Sequence, residues 1–155
     1  QTVGRLKGEE PARRVEVKLR IDFLHLYSAD ESIGESATDT AQAGIPQRYM
    51  ANTRNRIEIY RKLAECSTVE DLKDVQTEVR DRFGPLPETC ERLFKAMELK
   101  VLSSQKDIEL LEVREGKLMI LRNGDYLKIG GRFPRLSAKS INARLKEMRR
   151  LLMSI

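Results

Sequence analysis

Residues 69–87 restrict the fold more than any other stretch of the chain. Val69, Leu72, Val75, Val79 and Phe83 recur at the three- and four-residue spacing that lines one side of an α-helix, and the run stops at Gly84-Pro85-Leu86-Pro87. Ser67 can cap the first free N–H groups of that helix, and Glu70 three residues on completes a capping box. Gly84 predicts a stop in the left-handed conformation that glycine adopts without strain. Pro85 blocks continuation, and Pro87 is placed to begin the next helix, where its missing N–H costs nothing.

Helical spacing extends to both sides of this break. A helix is predicted to start near Asn52 or Thr53, with Ile57, Tyr60, Leu63 and Ala64 on one face. After Pro87, Cys90, Leu93, Phe94, Met97 and Val101 share a face, while Leu99 and Leu102 fall off it, so a second side is also covered. The period then changes. Val15, Val17, Leu19, Ile21 and Phe23 alternate with charged residues, which predicts a half-buried strand. Strands are also predicted over 108–113, 117–121 and 126–129, with a type I′ turn at Asn123-Gly124. A last helix is predicted to start near Ser137, turning Ile141, Leu145, Met148 and Leu152 inward. The class expected is α+β: a helical block, a small antiparallel sheet and a closing C-terminal helix. Residues 1–14 read as a linker, 15–155 as a single domain, and 28–44, rich in Ser, Ala, Gly, Asp and Thr, as a loop.

Composition narrows the function. With no tryptophan and 5% aromatics, aliphatic side chains must carry the core. Cys66 and Cys90, 24 residues apart, fit a reducing cytosol better than a disulfide framework, and read as buried small hydrophobes or inert surface thiols. The single histidine, His25, reads as a strand side chain rather than a metal ligand. No apolar run approaches the roughly 20 residues of a membrane span, and no N-terminal signal is visible. The N-terminus reads as a cut through a longer chain. The net charge of +5 is local: residues 132–155 carry seven cations against the single acid Glu147, a balance of +6 that leaves −1 elsewhere. No phosphate loop, GxGxxG, HExxH or nucleophile elbow occurs, so no catalytic residue, cofactor site or metal site is expected in this chain.

Against that blank, one segment is informative. Ile45-Pro46, Tyr49, Arg56-Ile57, Tyr60-Arg61-Lys62-Leu63-Ala64 and Asp81-Arg82-Phe83-Gly84-Pro85-Leu86-Pro87 together resemble the characteristic pattern of the C-terminal regulatory domain of bacterial transcription-repair coupling factors. Thr2–Glu10, with Leu6-Lys7-Gly8-Glu9, is similar to the family's junction after the motor domains, and residues 28–44 look like an insertion relative to it.

The resemblance implies a cytoplasmic protein that, at full length, is an ATP-driven double-stranded DNA translocase. Such a protein displaces stalled RNA polymerase and recruits UvrA for nucleotide excision repair, with ATP and Mg in the motor domains. It implies that this domain is a monomeric, non-enzymatic module that clasps an N-terminal UvrB-like module and masks the UvrA-binding surface.

A candidate contact surface follows from the second helix. At about 100° per residue, Asp74, Glu78 and Asp81 fall within roughly 60° of one another opposite the apolar stripe. Arg82 flanks them and can pair with Glu78 at i, i+4. Glu78, Asp81 and Arg82 resemble the family's partner-contacting stretch, whereas Phe83, Gly84, Leu86 and Pro87 read as fold. The rival reading is a nucleic-acid-binding module using Lys139, Lys146, Arg149 and Arg150. It is weakened because Phe133 is the only aromatic nearby.

Overall fold

The structure, a computed structural model, describes residues 16–28 and 41–155. The predicted linker 1–14 and most of the predicted loop lie outside these residues. In chain order the elements are β1 (Lys18–Ile21), β2 (Leu24–Leu26), β3 (Ala41–Ala43), α1 (Thr53–Glu65), α2 (Val69–Phe83), α3 (Glu88–Gln105), β4 (Ile108–Arg114), β5 (Lys117–Arg122), β6 (Asp125–Tyr126) and α4 (Ile141–Ser154).

The α+β class stands, with one refinement to the sheet. Strand order is β1-β4-β5-β6; the last three run antiparallel, but β1 joins β4 in parallel, Lys18 opposite Leu110 and Ile21 opposite Val113. A parallel pair needs a long crossover, and here α1, α2 and α3 supply it. The alternation expected through Phe23 breaks at a turn after Ile21. The chain then forms β2, which pairs in parallel with β3, so residues 41–43 of the predicted loop are strand. His25 lies on β2, stacked edge-on to Tyr27 with ring centroids 4.5 Å apart.

α3 is the hub. Its buried residues include Cys90, Leu93, Phe94, Ala96, Leu99, Val101 and Leu102, spread around most of its circumference. It meets α2, α4, β3 and β4, which is why its sequence shows two apolar sides. α4 closes the core by turning in Leu145, Met148 and Leu152. It begins at Ile141, capped by the Ser140 hydroxyl, rather than near Ser137. Ser137 is diverted: its N–H and hydroxyl both donate to the Glu147 carboxylate, which also accepts from the Ala138 N–H, so residues 137–138 are tied to the side of α4 instead of continuing it.

The inward face of α1 also differs from the expectation. Ile57 is 45% exposed and Ala64 is exposed, while Arg56, Ile59 and Leu63 are buried. The guanidinium of Arg56 donates to the Met50 carbonyl at 2.7 Å, the Ala51 carbonyl at 3.1 Å and the Thr53 hydroxyl at 3.2 Å. A charged residue thereby goes inside because backbone acceptors meet its donors.

Candidate functional site

The outward side of α2 is built from its first turn. The capping box is shifted by one residue from the Ser67–Glu70 expectation: the Thr68 hydroxyl accepts from the Asp71 N–H at 3.0 Å, and the Asp71 carboxylate accepts from the Thr68 and Ser67 N–H groups at 3.3 and 3.1 Å. Those donors, Ser67's first, hold the Asp71 carboxyl below its ordinary range. Glu70, freed from capping, faces solvent and makes a 3.8 Å pair with Lys73.

The far end of α2 is fixed through the residues that carry the resemblance. Gly84 sits at φ 96°, ψ −172°, outside the left-handed helical well that was expected but still at a positive φ that L-residues avoid. Its carbonyl accepts the Tyr49 hydroxyl at 2.6 Å, and the Tyr49 and Phe83 rings are 6.1 Å apart. The Tyr60 hydroxyl accepts the Ile45 N–H at 2.9 Å. Tyr49, Arg56, Tyr60 and Gly84 thus anchor the 45–51 entry segment against α1 and the end of α2. Pro87 is the N-cap of α3, with Glu88 its first helical residue.

Between these ends the four predicted contact residues separate into two kinds. Glu78 turns toward α1. Its carboxylate accepts from Lys62 at 2.8 Å and from Arg82 at 2.9 Å, and its side chain is 34% exposed. Glu58 completes the group, 3.3 Å from Lys62 and 3.5 Å from Arg82. The hydrogen bond from Lys62, with that from Arg82, holds the Glu78 carboxyl below its ordinary range. The Arg82 guanidinium also lies 5.0 Å from the Phe83 ring centroid. Two acids and two bases therefore form a neutral network that staples α1 to α2. Lys62 and Glu58 were missed because their partners lie on another helix; the Glu58–Lys62 spacing of four was the available signal.

Asp74 and Asp81 are exposed, and among the described residues neither makes an ion pair. Seven residues apart, they return to within about 20° of each other, two turns along the axis. The surface consists of two unpaired carboxylates beside a rigid, neutral ion cluster. It is suited to receiving cationic side chains and holds no evident acid–base or nucleophilic pair.

The basic C-terminal residues fall in two places: Lys146, Arg149 and Arg150 line one cleft with Lys95, and Arg132 and Arg135 line another. Arg149 pairs with Glu98 of α3 at 3.1 Å, and Arg144 donates to the Ala138 carbonyl at 2.9 Å while lying over the Phe23 ring. Lys139, Lys146 and Arg150 remain exposed. Arg132, Phe133 and Arg135 precede α4, alongside β5 and β6. Both cysteines are buried; the Cys66 thiol donates to the Lys62 carbonyl at 3.1 Å, and burial pushes the pKa of the Cys90 thiol up to about 12. Among the described residues no cluster of His, Cys, Asp and Glu could hold a metal ion, and no helix is long and apolar enough to cross a membrane.

Comparison with known proteins adds family information. The family model described as the TRCF domain matches residues 40–127. The transcription-repair-coupling factor of Bacillus subtilis is 32% identical over 102 residues, covering 57% of this chain and 9% of that protein. That of Borreliella burgdorferi is 27% identical over 124 residues, covering 73% of this chain and 11% of that protein. The chain spans only about a tenth of the length of these relatives. A crystal structure of the C-terminal domain of transcription-repair coupling factor superposes with a TM-score of 0.65 at 16% identity, covering 91% of this chain and 94% of that one; the likeness is one of fold.

Proposed function

We propose, from the premise that this chain belongs to the TRCF domain family of transcription-repair coupling factors, that it works by occupying a neighbouring surface rather than by catalysing a reaction. The neighbour is the N-terminal UvrB-like module of the same protein, and residues 15–155 dock on it as one domain connected through 1–14 to the motor domains. Docked, the domain masks the surface that UvrA would take. It also restrains ATP-driven movement on double-stranded DNA until RNA polymerase is engaged. In this role the chain uses no cofactor of its own; ATP and Mg belong to the motor.

One observation carries the reading: Asp74 and Asp81 stand unpaired and exposed on a helix where Glu78 and Arg82 are already committed to an ion cluster. A preformed acidic pair on a rigid element orients partner arginines through bidentate bonds and loses little side-chain freedom on docking. Arg82 and Glu78 contribute by holding α2 against α1, with Arg82 reaching the partner at the edge of its ion cluster.

The test titrates the domain against its own N-terminal module, with UvrA as competitor. The double substitution Asp74→Lys and Asp81→Lys places like charges across the interface and is expected to weaken binding at least about tenfold. Because both side chains are exposed and unpaired, the melting temperature should stay within a few degrees. Undiminished affinity in that variant rejects the surface. Glu78→Lys is a poorer probe, because it opens the Lys62–Glu78–Arg82 network and alters stability as well as binding.

A further inference from the structure

The strand that returns along β5 leaves it and comes back. Residues 125–127 pair with β5 through Leu121–Tyr126 and a bond from the Leu127 N–H to the Ile120 carbonyl. The chain then makes a tight excursion, closed by the Ile129–Arg132 bridge over Gly130-Gly131, where φ is 61° and 78°. It rejoins β5 when the Leu118 N–H donates to the Pro134 carbonyl and the Leu136 N–H to the Gly116 carbonyl, with Lys117 directly opposite Arg135.

This path gathers four cations around one cleft of about 400 Å³, lined by Lys117, Lys128, Gly131, Arg132, Phe133 and Arg135. No acid lines it, all four cations are exposed, and among the described residues none makes an ion pair. Elsewhere on this surface Lys62, Arg82, Arg92 and Arg149 each find a carboxylate. Cations directly opposite on paired strands repel, so the Lys117–Arg135 pairing weakens the sheet edge unless an anion sits between them. An aromatic pair borders the cleft. Phe133 and Tyr126 meet edge to face with centroids 5.8 Å apart, Tyr126 is 44% exposed, and the Lys128 ammonium lies 5.4 Å from the Phe133 centroid.

We infer that this cleft binds the phosphodiester backbone of a nucleic acid, with Lys117, Lys128, Arg132 and Arg135 on phosphate oxygens and the Tyr126–Phe133 rim against sugar or base. The forked guanidinium groups match phosphate oxygens, and the aromatic rim suits a base or sugar better than an acidic peptide. The site shares no residue with the acidic face of α2 and differs from the α4 cations Lys146, Arg149 and Arg150. It therefore stands or falls separately from the docking reading.

The test is fluorescence anisotropy of a labelled 20-base-pair DNA duplex, and of one of its single strands, titrated with the 155-residue chain from 25 to 200 mM salt. If all four cations reach phosphates of the duplex, the slope of log K against log salt is about −3 to −4, and Lys128→Ala with Arg132→Ala brings it to about −2. The single strand distinguishes backbone reading with base contact from backbone reading alone; binding of either form supports the site. Lys139→Ala with Lys146→Ala is expected to leave the slope unchanged. Three results overturn the inference: no binding of either DNA at 25 mM salt, the same slope after the Lys128/Arg132 change, or tighter binding of hexaglutamate than of DNA. Lys128 and Arg132 are exposed beside a turn, so circular dichroism should show both variants folded.

Discussion

Replacing Gly84 with alanine isolates the backbone geometry that ends α2. At φ 96° and ψ −172° the residue occupies a region essentially reserved for glycine, while a Cβ added there meets nothing within 4 Å. The penalty is therefore conformational rather than steric with respect to neighbours. Backbone strain of this kind costs about 1–3 kcal/mol. The stiffer unfolded chain returns about 0.4–1 kcal/mol. The net loss is about 1–2 kcal/mol, which for a domain of this size lowers the melting temperature by about 2–8 °C. The assay is urea and thermal unfolding followed by circular dichroism. The control is D-alanine at the same position, introduced by ligating a synthetic 66–89 segment at Cys66 and Cys90. A D-residue favours positive φ, so that protein should be as stable as the parent or slightly more so. A neutral L-alanine variant, or equal losses for the two enantiomers, refutes the reasoning.

Two further outcomes follow from burial and charge. Met148→Ala empties a fully buried position between α4 and α3 and should cost about 2–5 kcal/mol by chemical denaturation; a loss under about 1 kcal/mol would mean that α4 does not close the core. Asp71 and Glu78 are held below their ordinary range, Asp71 by the Ser67 N–H first and Glu78 by Lys62 first; Glu147 is raised by burial but lowered further by the Ala138 and Ser137 donors. Each depressed carboxyl binds fewer protons folded than unfolded, so its stabilisation is present above the unfolded value near about 4 and lost as pH falls through the folded one. The melting temperature should be flat from pH 7 to 5, then drop, and Glu78→Gln with Glu147→Gln should shallow that drop.

The sequence made legible whatever depends on spacing within one element. The inward faces of α2 and α4 were readable because each packs on one side only, and the Asn123-Gly124 turn because its residues demand positive φ, which the structure shows at 53° and 81°. What depends on distant partners was not readable. The parallel seat of β1 beside β4 joins residues about ninety positions apart, and three-residue β2 and β3 are too short to show a period. The burial of Arg56 was not readable because its acceptors are carbonyls, which any sequence supplies. In the candidate site, the exposure of Asp74 and Asp81 followed from the helical repeat. The commitment of Glu78 did not, because Lys62 is brought to it only by packing α1 on α2. The Lys117–Arg135 pairing was hidden for the same reason: it joins two strands that the chain brings together only after the 128–133 excursion.

The hydroxyls of Tyr49 and Tyr60, the Arg56 guanidinium and the Gly84 carbonyl are engaged in routing the chain. The signature of this fold is thus a set of internal knots, while the outer wall of α2 is upholstery. A chain that kept those four residues and the Glu58–Lys62–Glu78–Arg82 network could exchange the other exposed side chains along that wall, and so its choice of neighbour, without losing its shape.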